Sequence, residues 1–454
     1  MANELTADIV IIGGGLTGLV TAYYLSKSEK KVFILEKENR CGGVINSVNE
    51  DGFIYESGPN SGVLSTLEAV ELFEDLKDFC TLELANKNAK KRLIWKNSSW
   101  QPLPSGLSSA ISTPLFNLKD KFKILVEPFR QKGNNPDESI ADLVKRRLGN
   151  SFLDYAIDPF ISGIYAGDPN KIITKYALPK LYNLEQEYGS FIKGAISKKK
   201  NPDINTKKVS REVFSTENGL NSLINGLTKS IGDNQIILNS SKISITPLEK
   251  SFKTKFKNNL DEFEIISKKV ITTIGAYAIT EILPFIPSYD LNDICSLEYA
   301  KVVQVILGFK KWNGISLDAF GGLVPSVEKR KILGVLFSST LFKNRSNENG
   351  ALLSIFMGGI KNPNAINMSD EEIIKNVQFE MKEMMCLNNF NPDLLKIFRY
   401  NHAIPQYEIS TGKRLHKISE IESNYPGLIL AGNIRDGIGM SDRIKQAKTI
   451  ANSL

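Results

Sequence analysis

Histidine and cysteine are scarce in this chain of 454 residues. Its two histidines, His402 and His416, are too few for a zinc cluster or a Ser-His-Asp triad. The four cysteines are widely spaced and form no C-x-x-C pair, so we expect reduced thiols in a cytoplasmic protein without a disulfide framework. We therefore predict no metal site and no hydrolytic triad.

Long hydrophobic runs are also absent. No stretch of about 20 apolar residues suggests a membrane-spanning helix, and no basic region precedes the N-terminal apolar run, so we expect no signal peptide. The net charge of +7 is modest, and no helix pattern interleaves basic and aromatic residues, which argues against a nucleic-acid partner. The length predicts two or three substructures.

The strongest positive signal is a glycine pattern that follows an apolar strand. Residues 9–12 are apolar, and G-x-G-x-x-G comes next at Gly13, Gly15 and Gly18. Such glycines permit a tight turn, let the backbone approach a pyrophosphate, and let helix and strand pack closely. A second apolar strand ends in Glu36, at the spacing expected of an acidic residue that binds ribose hydroxyls. The pattern predicts a dinucleotide at the N-terminus of the first helix.

Further glycines indicate which dinucleotide is bound. The segment 40–44 (Arg-Cys-Gly-Gly-Val) follows the glutamate, and 58–61 (Gly-Pro-Asn-Ser) follows later. A long flavin in an extended groove needs this repeated approach of the backbone, whereas a nicotinamide-binding unit does not. At the far end a buried-strand pattern stops at Gly432, and residues 437–442 open a last helix. The cofactor predicted is FAD.

These motifs resemble the FAD-dependent amine oxidase and desaturase superfamily, in which the last helix directs its N-terminus at the flavin ring and stabilises negative charge on the reduced flavin. Within it, the chain resembles FAD-dependent protoporphyrinogen oxidases. The Tyr-Ala-Gly-Asp-Pro and Ala-Ile-Pro-Gln-Tyr motifs are more specific than the dinucleotide fingerprint. The matching stretches, in the family's order, are 56–61, 162–169, 322–326, 333–339 and 403–407.

The resemblance implies an α/β fold with a Rossmann-like discontinuous FAD domain, a mixed-sheet substrate domain and a helical insertion that associates with a membrane. We expect a lysine-rich loop at 198–210. The predicted domains are residues 1–88, 206–275 and 395–454 for FAD binding, 89–104 and 276–394 for the substrate, and 105–205 for the helical insertion.

The resemblance also implies cofactor contacts. Two departures from the family pattern are Val44, where an arginine or aromatic residue is common, and the segment 274–276, which lacks a proline. Neither changes a group that the flavin needs for charge or hydrogen bonding. The implied cofactor residues are Gly13, Gly14, Gly15, Leu16, Thr17, Gly18, Glu36, Lys37, Arg40, Gly43, Val44, Gly58, Pro59, Asn60, Ser61, Ile243, Gly432, Ile438, Gly439 and Met440.

The implied substrate is a flat tetrapyrrole between apolar walls. Matching positions place Leu323 and Leu336 on one side and Phe356 on the other, and ordinary core packing is the alternative for these residues. Gly167 either lets the backbone approach the macrocycle or serves its turn. A propionate needs a cation, which is Arg92 or, with a one-residue gap in the alignment, Lys91; a plain surface arginine is the alternative.

The reaction implied is six-electron oxidation of protoporphyrinogen IX to protoporphyrin IX in haem or chlorophyll biosynthesis, with dioxygen as acceptor and no catalytic side chain beyond the flavin. The alternatives are coproporphyrinogen III, a polyene or amine substrate, or a flavin-binding partner protein without oxidase activity.

In the helical insertion, Phe116, Phe122 and Phe129 either face a membrane or pack into a core. Peripheral attachment to the cytoplasmic face of a membrane and a homodimer also stay open.

Overall fold

The structure is a computed structural model that describes residues 3–200 and 209–454. It contains two seven-stranded sheets, with helices packed around them. This arrangement confirms the α/β fold expected from the sequence. None of the helices within the described ranges is long and apolar enough to cross a membrane.

The first sheet is mostly parallel and carries the glycine pattern at one end. The residues at 9–12 are almost fully buried, as is usual for a parallel strand covered on both faces. Across the sheet the strands are Ile236–Ile237, Val32–Leu35, Asn3–Ile12, Asp261–Thr272, Phe252–Asn258 and Ser240–Pro247, with Leu428–Leu430 beside the end of Asp261–Thr272.

The second sheet is antiparallel except for one parallel pair, Gly321–Leu323 with Arg92–Lys96. Its strands, in order, are Leu394–Pro405, Tyr299–Phe309, Ala351–Gly358, Gly334–Leu336, Gly321–Leu323, Arg92–Lys96 and Ser99–Pro102. One face packs on a large hydrophobic cluster that includes Val335, Ile355 and Leu353. The other face carries the candidate substrate residues.

Two small sheets and the helices complete the fold. The small sheets pair Ser47–Glu50 with Phe53–Glu56, and Gly62–Val63 and Leu82–Leu84 with Val213–Thr216. The α-helices are Leu16–Ser26, Leu67–Asp75, Leu107–Ser112, Leu118–Val126, Ile140–Arg147, Asn150–Phe152, Asp158–Ile164, Thr174–Ala177, Pro179–Tyr188, Phe191–Lys200, Asn221–Ile231, Ile279–Ile282, Ser288–Cys295, Ser338–Leu341, Asp370–Met384, Thr411–Asn424 and Met440–Asn452.

Two predicted domain boundaries differ from the structure. The strand Leu394–Pro405 pairs with Tyr299–Phe309, so the second sheet continues past residue 394, where we ended the substrate domain. Residues 276–297, predicted to belong to the substrate domain, contribute Ile279, Leu291 and other apolar side chains to the core of the first sheet. Strand and helix patterns look alike in either domain, so only the packing partners reveal these boundaries.

The predicted lysine-rich loop at 198–210 is partly wrong, because Lys198–Lys200 form the last turn of the helix Phe191–Lys200. Residues 201–208 lie outside the described residues, and the predicted boundary between 205 and 206 falls there.

The helical insertion contains a buried ion cluster that sequence periodicity did not predict. Arg147 is fully buried and contacts the carboxylates of Glu127 at 3.0 Å and Glu185 at 2.5 Å. Arg146 binds Glu185 at 2.8 Å from a more exposed position. Buried charges must be paired to persist, so this cluster fixes how the helices of the insertion pack.

The three phenylalanines of the insertion have different environments. Phe116 is buried and stacks on Phe152 with 3.6 Å between ring centroids, so it does not face a membrane. Phe122 lies on the helix Leu118–Val126 and Phe129 in the short turn that follows it. Both are exposed and, with two leucines of that helix, form an apolar stripe. The exposed fractions along this apolar stripe are 83% for Leu118, 64% for Phe122, 52% for Leu125 and 85% for Phe129.

We predict that Arg147→Met destabilises the helical insertion by about 3–5 kcal/mol, because it leaves buried carboxylates without their partner. Urea denaturation followed by circular dichroism measures the loss. Lys27→Met is the matched control, since the Lys27–Asp75 pair is largely exposed and contributes about 1 kcal/mol or less. Equal stability of the two variants would contradict the role assigned to the cluster.

Candidate functional site

The glycine turn leaves open space at the N-terminus of the helix Leu16–Ser26. A Cβ atom added to Gly15 would have no neighbour within 4 Å, and no side chain caps this helix N-terminus. A Cβ on Gly18, by contrast, would lie 2.0 Å from the carbonyl oxygen of Gly13. Gly18 therefore permits the close packing of helix and strand, while Gly15 borders space in which a pyrophosphate fits.

Two further backbone segments pack against this turn. A Cβ on Gly43 would lie 3.4 Å from the Cα of Gly15, and a Cβ on Gly58 would lie 1.9 Å from the carbonyl oxygen of Val44. The structure thus brings together the three glycine segments that the sequence singled out. Val44 is 62% exposed beside them.

Glu36 is buried at the end of its strand and oriented by the backbone. Its carboxylate accepts hydrogen bonds from Gly14 N at 2.6 Å and Glu38 N at 2.9 Å. The strand that carries Ile243 begins beside it, since Ser240 N donates to the carbonyl oxygen of Glu36 at 2.8 Å. Ile243 lies three residues further along this strand.

The resemblance implies that Arg40 and Lys37 contact the cofactor, and in the structure their side chains contact other groups of the protein. The guanidinium of Arg40 donates to the carbonyl oxygens of Cys41 and Ile45 at 3.0 Å and of Gly43 at 2.8 Å. Arg40 therefore shapes the loop that approaches the glycine turn. Lys37 is exposed and forms an ion pair with Glu38 at 3.5 Å.

The segment at 58–61 connects the cofactor groove to the second sheet. Asn60 accepts a hydrogen bond from Ser354 Oγ at 2.8 Å. Just before this segment, Glu56 is buried and accepts from Ser47 Oγ at 2.6 Å and Leu220 N at 3.0 Å. Burial raises the pKa of Glu56. Sequence reasoning missed Ser354, because its partner is 294 residues away.

The C-terminal helix Met440–Asn452 begins next to these segments. Ser441 Oγ donates to the carbonyl oxygen of Val63 at 2.5 Å. The N-cap residue Gly439 donates its N–H to Asp442 at 3.0 Å, so this helix N-terminus already carries a carboxylate. Burial raises the pKa of Asp442. The resemblance implies that this helix N-terminus stabilises negative charge on the flavin. Asp442, which already occupies that N-terminus, is not among the residues predicted from the sequence.

The Ala-Ile-Pro-Gln-Tyr motif joins two other motifs. Gln406 Nε2 donates to the carbonyl oxygen of Tyr165, in the Tyr-Ala-Gly-Asp-Pro motif, at 2.9 Å. The hydroxyl of Tyr407 lies 3.0 Å from the carbonyl oxygen of Gly437 and 3.2 Å from that of Asn433. The motif thus orients the loop between Gly432 and Ile438.

The predicted substrate residues share one face of the second sheet. Phe356 pairs with Gly334, Gly334 pairs with Leu323, and in the next row Leu336 pairs with Ser354. All three apolar side chains are partly exposed. On the same strand, Ala351–Gly358, the side chains that point to the opposite face are fully buried. They are Leu353, Ile355 and Met357.

We call the surface formed by Arg92, Leu323, Leu336, Ser354 and Phe356 the substrate face.

Arg92 lies on the substrate face, because it pairs with Gly321 in the same row as Leu336. Its guanidinium lies 5.2 Å from the ring centroid of Phe320, and it makes no ion pair with any residue that the structure describes. Lys91 lies just before this strand, and the alternation of strand side chains predicts that it is directed away from this surface.

Gly167 has a structural role that needs no substrate. It is buried, and a Cβ at this position would lie 2.5 Å from Gln406 Oε1 and 2.6 Å from Ile172 Cδ1. The glycine that adjoins the substrate face is Gly163, whose Cβ would lie 2.5 Å from Leu323 Cδ2.

Comparison of the sequence with models of known protein families identifies the family of this chain. A family model described as flavin containing amine oxidoreductase matches residues 16–452. The chain belongs to this family. Its cofactor is FAD, for which the open space at Gly15 and the orientation of Glu36 are suited, and the protein is an oxidoreductase.

Named relatives cover nearly the whole chain. Chloroplastic protoporphyrinogen oxidase 1 of Arabidopsis thaliana is 30% identical over 98% of this chain and 87% of its own length. Coproporphyrinogen III oxidase of Bacillus subtilis is 26% identical over 97% of this chain and 96% of its own length. A crystal structure from Exiguobacterium sp. 255-15, of a protein proposed to be a protoporphyrinogen oxidase, has a TM-score of 0.81 at 23% identity, covering 100% of this chain and 98% of that one. The resemblance to protoporphyrinogen oxidases is confirmed.

We predict that Gly15→Leu folds but loses FAD, because its side chain fills the space open to the pyrophosphate. The ratio of flavin to protein absorbance measures the loss. Gly106→Leu is the control, since that glycine also has no neighbour within 4 Å of an added Cβ but lies in the helical insertion. A Gly15→Leu protein that keeps its yellow colour would contradict the assignment.

Proposed function

We propose that this protein oxidises protoporphyrinogen IX to protoporphyrin IX, with dioxygen as the final electron acceptor. The observation that carries the proposal is the substrate face. It combines three apolar side chains with one cation, Arg92, for which the described part of the chain provides no acidic partner. The hydrogen bond between Ser354 on this face and Asn60, in a segment that the resemblance implies contacts FAD, supports the proposal. The names of the relatives support a porphyrinogen as the substrate.

The protein's own residues bind and orient in this reaction. The macrocycle stands edge-on to the sheet above Gly334, with Leu323 and Leu336 on one side of it and Phe356 on the other, while Arg92 binds a propionate. When bound, FAD accepts the hydrides that leave the macrocycle, in three two-electron cycles. No side chain on the substrate face is a strong acid or base, so the pyrrole protons pass to solvent or to the substrate's own carboxylates.

Coproporphyrinogen III is the second candidate substrate, because a relative at 26% identity carries that name. It has four carboxylates where protoporphyrinogen IX has two, and it needs more cations. A polyene or an amine is less suited, because neither needs Arg92 on the substrate face.

Anaerobic mixing of the holoenzyme with each porphyrinogen tests the proposal. We expect protoporphyrinogen IX to bleach the flavin absorbance, and porphyrin fluorescence to appear above the spontaneous rate once oxygen is admitted. A flavin that neither porphyrinogen bleaches would contradict the proposal.

Arg92 and Lys91 give a matched pair of variants. We predict that Arg92→Ala raises KM for protoporphyrinogen about tenfold to a hundredfold, the value of one charge-assisted hydrogen bond. Lys91→Ala changes KM less than about twofold, because its side chain is directed away from the substrate face. Steady-state porphyrin fluorescence provides both values, and the reverse order would assign the propionate to Lys91.

We also propose that the protein is cytoplasmic and attaches peripherally to a membrane through the apolar stripe of Leu118, Phe122, Leu125 and Phe129. Lysines adjoin this stripe, and Lys193 Nζ lies 5.8 Å from the ring centroid of Phe129. Apolar side chains beside cations suit the headgroup region of an anionic bilayer.

We predict that Phe122→Asp/Phe129→Asp weakens binding to phosphatidylglycerol vesicles by roughly a hundredfold to ten-thousandfold, since each buried phenylalanine contributes about 1.5–3 kcal/mol. Vesicle sedimentation measures the binding. Phe79→Asp is the control, because Phe79 is 52% exposed but lies outside the helical insertion. Equal binding by the double variant and wild type would contradict the attachment.

A further inference from the structure

The two ends of the substrate face differ in charge. Arg92 lies at one end without an acidic partner among the described residues. At the other end is Lys361, just beyond the strand that carries Phe356. Its ammonium contacts the carboxylate of Asp158 and donates to Ser326 Oγ at 2.9 Å. The cation at this end is therefore neutralised.

Asp158 is fixed at the edge of the substrate face. It begins the helix Asp158–Ile164, in which Gly163 lies against Leu323. Its second carboxylate oxygen accepts the N–H of Ser326 at 2.8 Å, and its side chain is 7% exposed. The carboxylate thus has two independent partners and is held beside Lys361.

Other acidic groups lie close to this end. Asp154 is one helical turn before Asp158, and burial and the charge of Asp158 raise its pKa. Glu328 accepts a hydrogen bond from the hydroxyl of Tyr155 at 2.9 Å. Lys96, also nearby, donates to the backbone carbonyl oxygens of residues 114 and 115 at 2.9 Å. Lys361 and Lys96, the cations placed here by these contacts, are therefore both engaged by groups of the protein.

The spacing of the two ends suits a tetrapyrrole. Gly321, beside Arg92, and Ser326, beside Lys361, are five residues apart along the chain, on the order of 15 Å in extended backbone. A macrocycle with a propionate on Arg92 therefore directs its opposite edge toward Lys361 and Asp158.

We propose that Asp158 is a specificity-determining residue, which neutralises Lys361 and so selects porphyrinogens whose carboxylates all lie at one edge of the macrocycle. Protoporphyrinogen IX meets this condition, whereas a tetracarboxylate brings at least one further carboxylate to the Asp158 end. This inference rests on the proposed function.

The test compares kcat/KM for protoporphyrinogen IX and coproporphyrinogen III in wild-type holoenzyme and three variants. Asp158→Asn keeps an oxygen for the Ser326 N–H but frees Lys361, so we expect kcat/KM for coproporphyrinogen III to rise about tenfold relative to protoporphyrinogen IX. Asp158→Asn/Lys361→Gln should lose this gain. Asp137→Asn is the control, because both members of the Asp137–Lys175 pair at 2.6 Å belong to the helical insertion, whereas Lys361 follows a strand of the second sheet.

Binding of the oxidised product gives a readout independent of turnover. Quenching of coproporphyrin III fluorescence should show tighter binding by Asp158→Asn than by wild type. If Asp158→Asn fails to fold, the variant Lys361→Gln decides. The inference predicts that its kcat/KM for coproporphyrinogen III does not rise relative to protoporphyrinogen IX. A rise would overturn the inference.

The outcomes separate this inference from the proposed function. A wild-type enzyme that oxidises protoporphyrinogen IX, with an unchanged substrate ratio in Asp158→Asn, overturns the inference alone. A wild-type enzyme that prefers coproporphyrinogen III overturns the inference and also replaces the proposed substrate with the second candidate. A wild-type enzyme that oxidises neither substrate contradicts the proposed function and the inference together.

Discussion

The site depends on a steric constraint, the close approach of three backbone segments that carry no side chain where they meet. Gly18 touches the carbonyl of Gly13, and Gly58 touches the carbonyl of Val44, at distances that no Cβ could occupy. Gly15 borders the space left between these contacts. Because packing excludes side chains there, the groove can accept the long, flat FAD along the edge of the first sheet.

The substrate face acts together with this groove through a few long-range hydrogen bonds. Asn60 lies in a cofactor segment and binds Ser354 on the second sheet. Gln406 and Tyr407 connect the Tyr-Ala-Gly-Asp-Pro turn to the loop before the last helix. The motifs that distinguish this chain from a general dinucleotide-binding protein therefore also join the second sheet and the helical insertion to the segments around the glycine turn and the last helix.

Much of the cofactor site could be predicted from the sequence, because its physical requirements are local. A tight turn, a helix N-terminus and an acidic residue after the second strand are all read within about 30 residues of each other. The apolar members of the substrate face could be named by resemblance, but only strand register shows that Arg92, rather than Lys91, shares their face.

Other features depend on tertiary contacts that no local pattern encodes. The pair of Lys361 and Asp158 joins residues 203 positions apart. Phe116 and Phe122 are six residues apart, yet Phe116 stacks in the core on Phe152 and Phe122 lies at the surface. The local pattern of Leu394–Pro405 predicts a strand but not which sheet it joins. Its pairing with Tyr299–Phe309 shows that it belongs to the second sheet.

The central claim is that a tetrapyrrole binds on the substrate face beside FAD. A crystal structure of the holoenzyme with its porphyrin product tests it most directly. The account predicts a macrocycle between Leu323 and Leu336 on one side and Phe356 on the other, with its propionates at Arg92. Density for the porphyrin elsewhere, or with its propionates directed at Lys361 and Asp158, would contradict it.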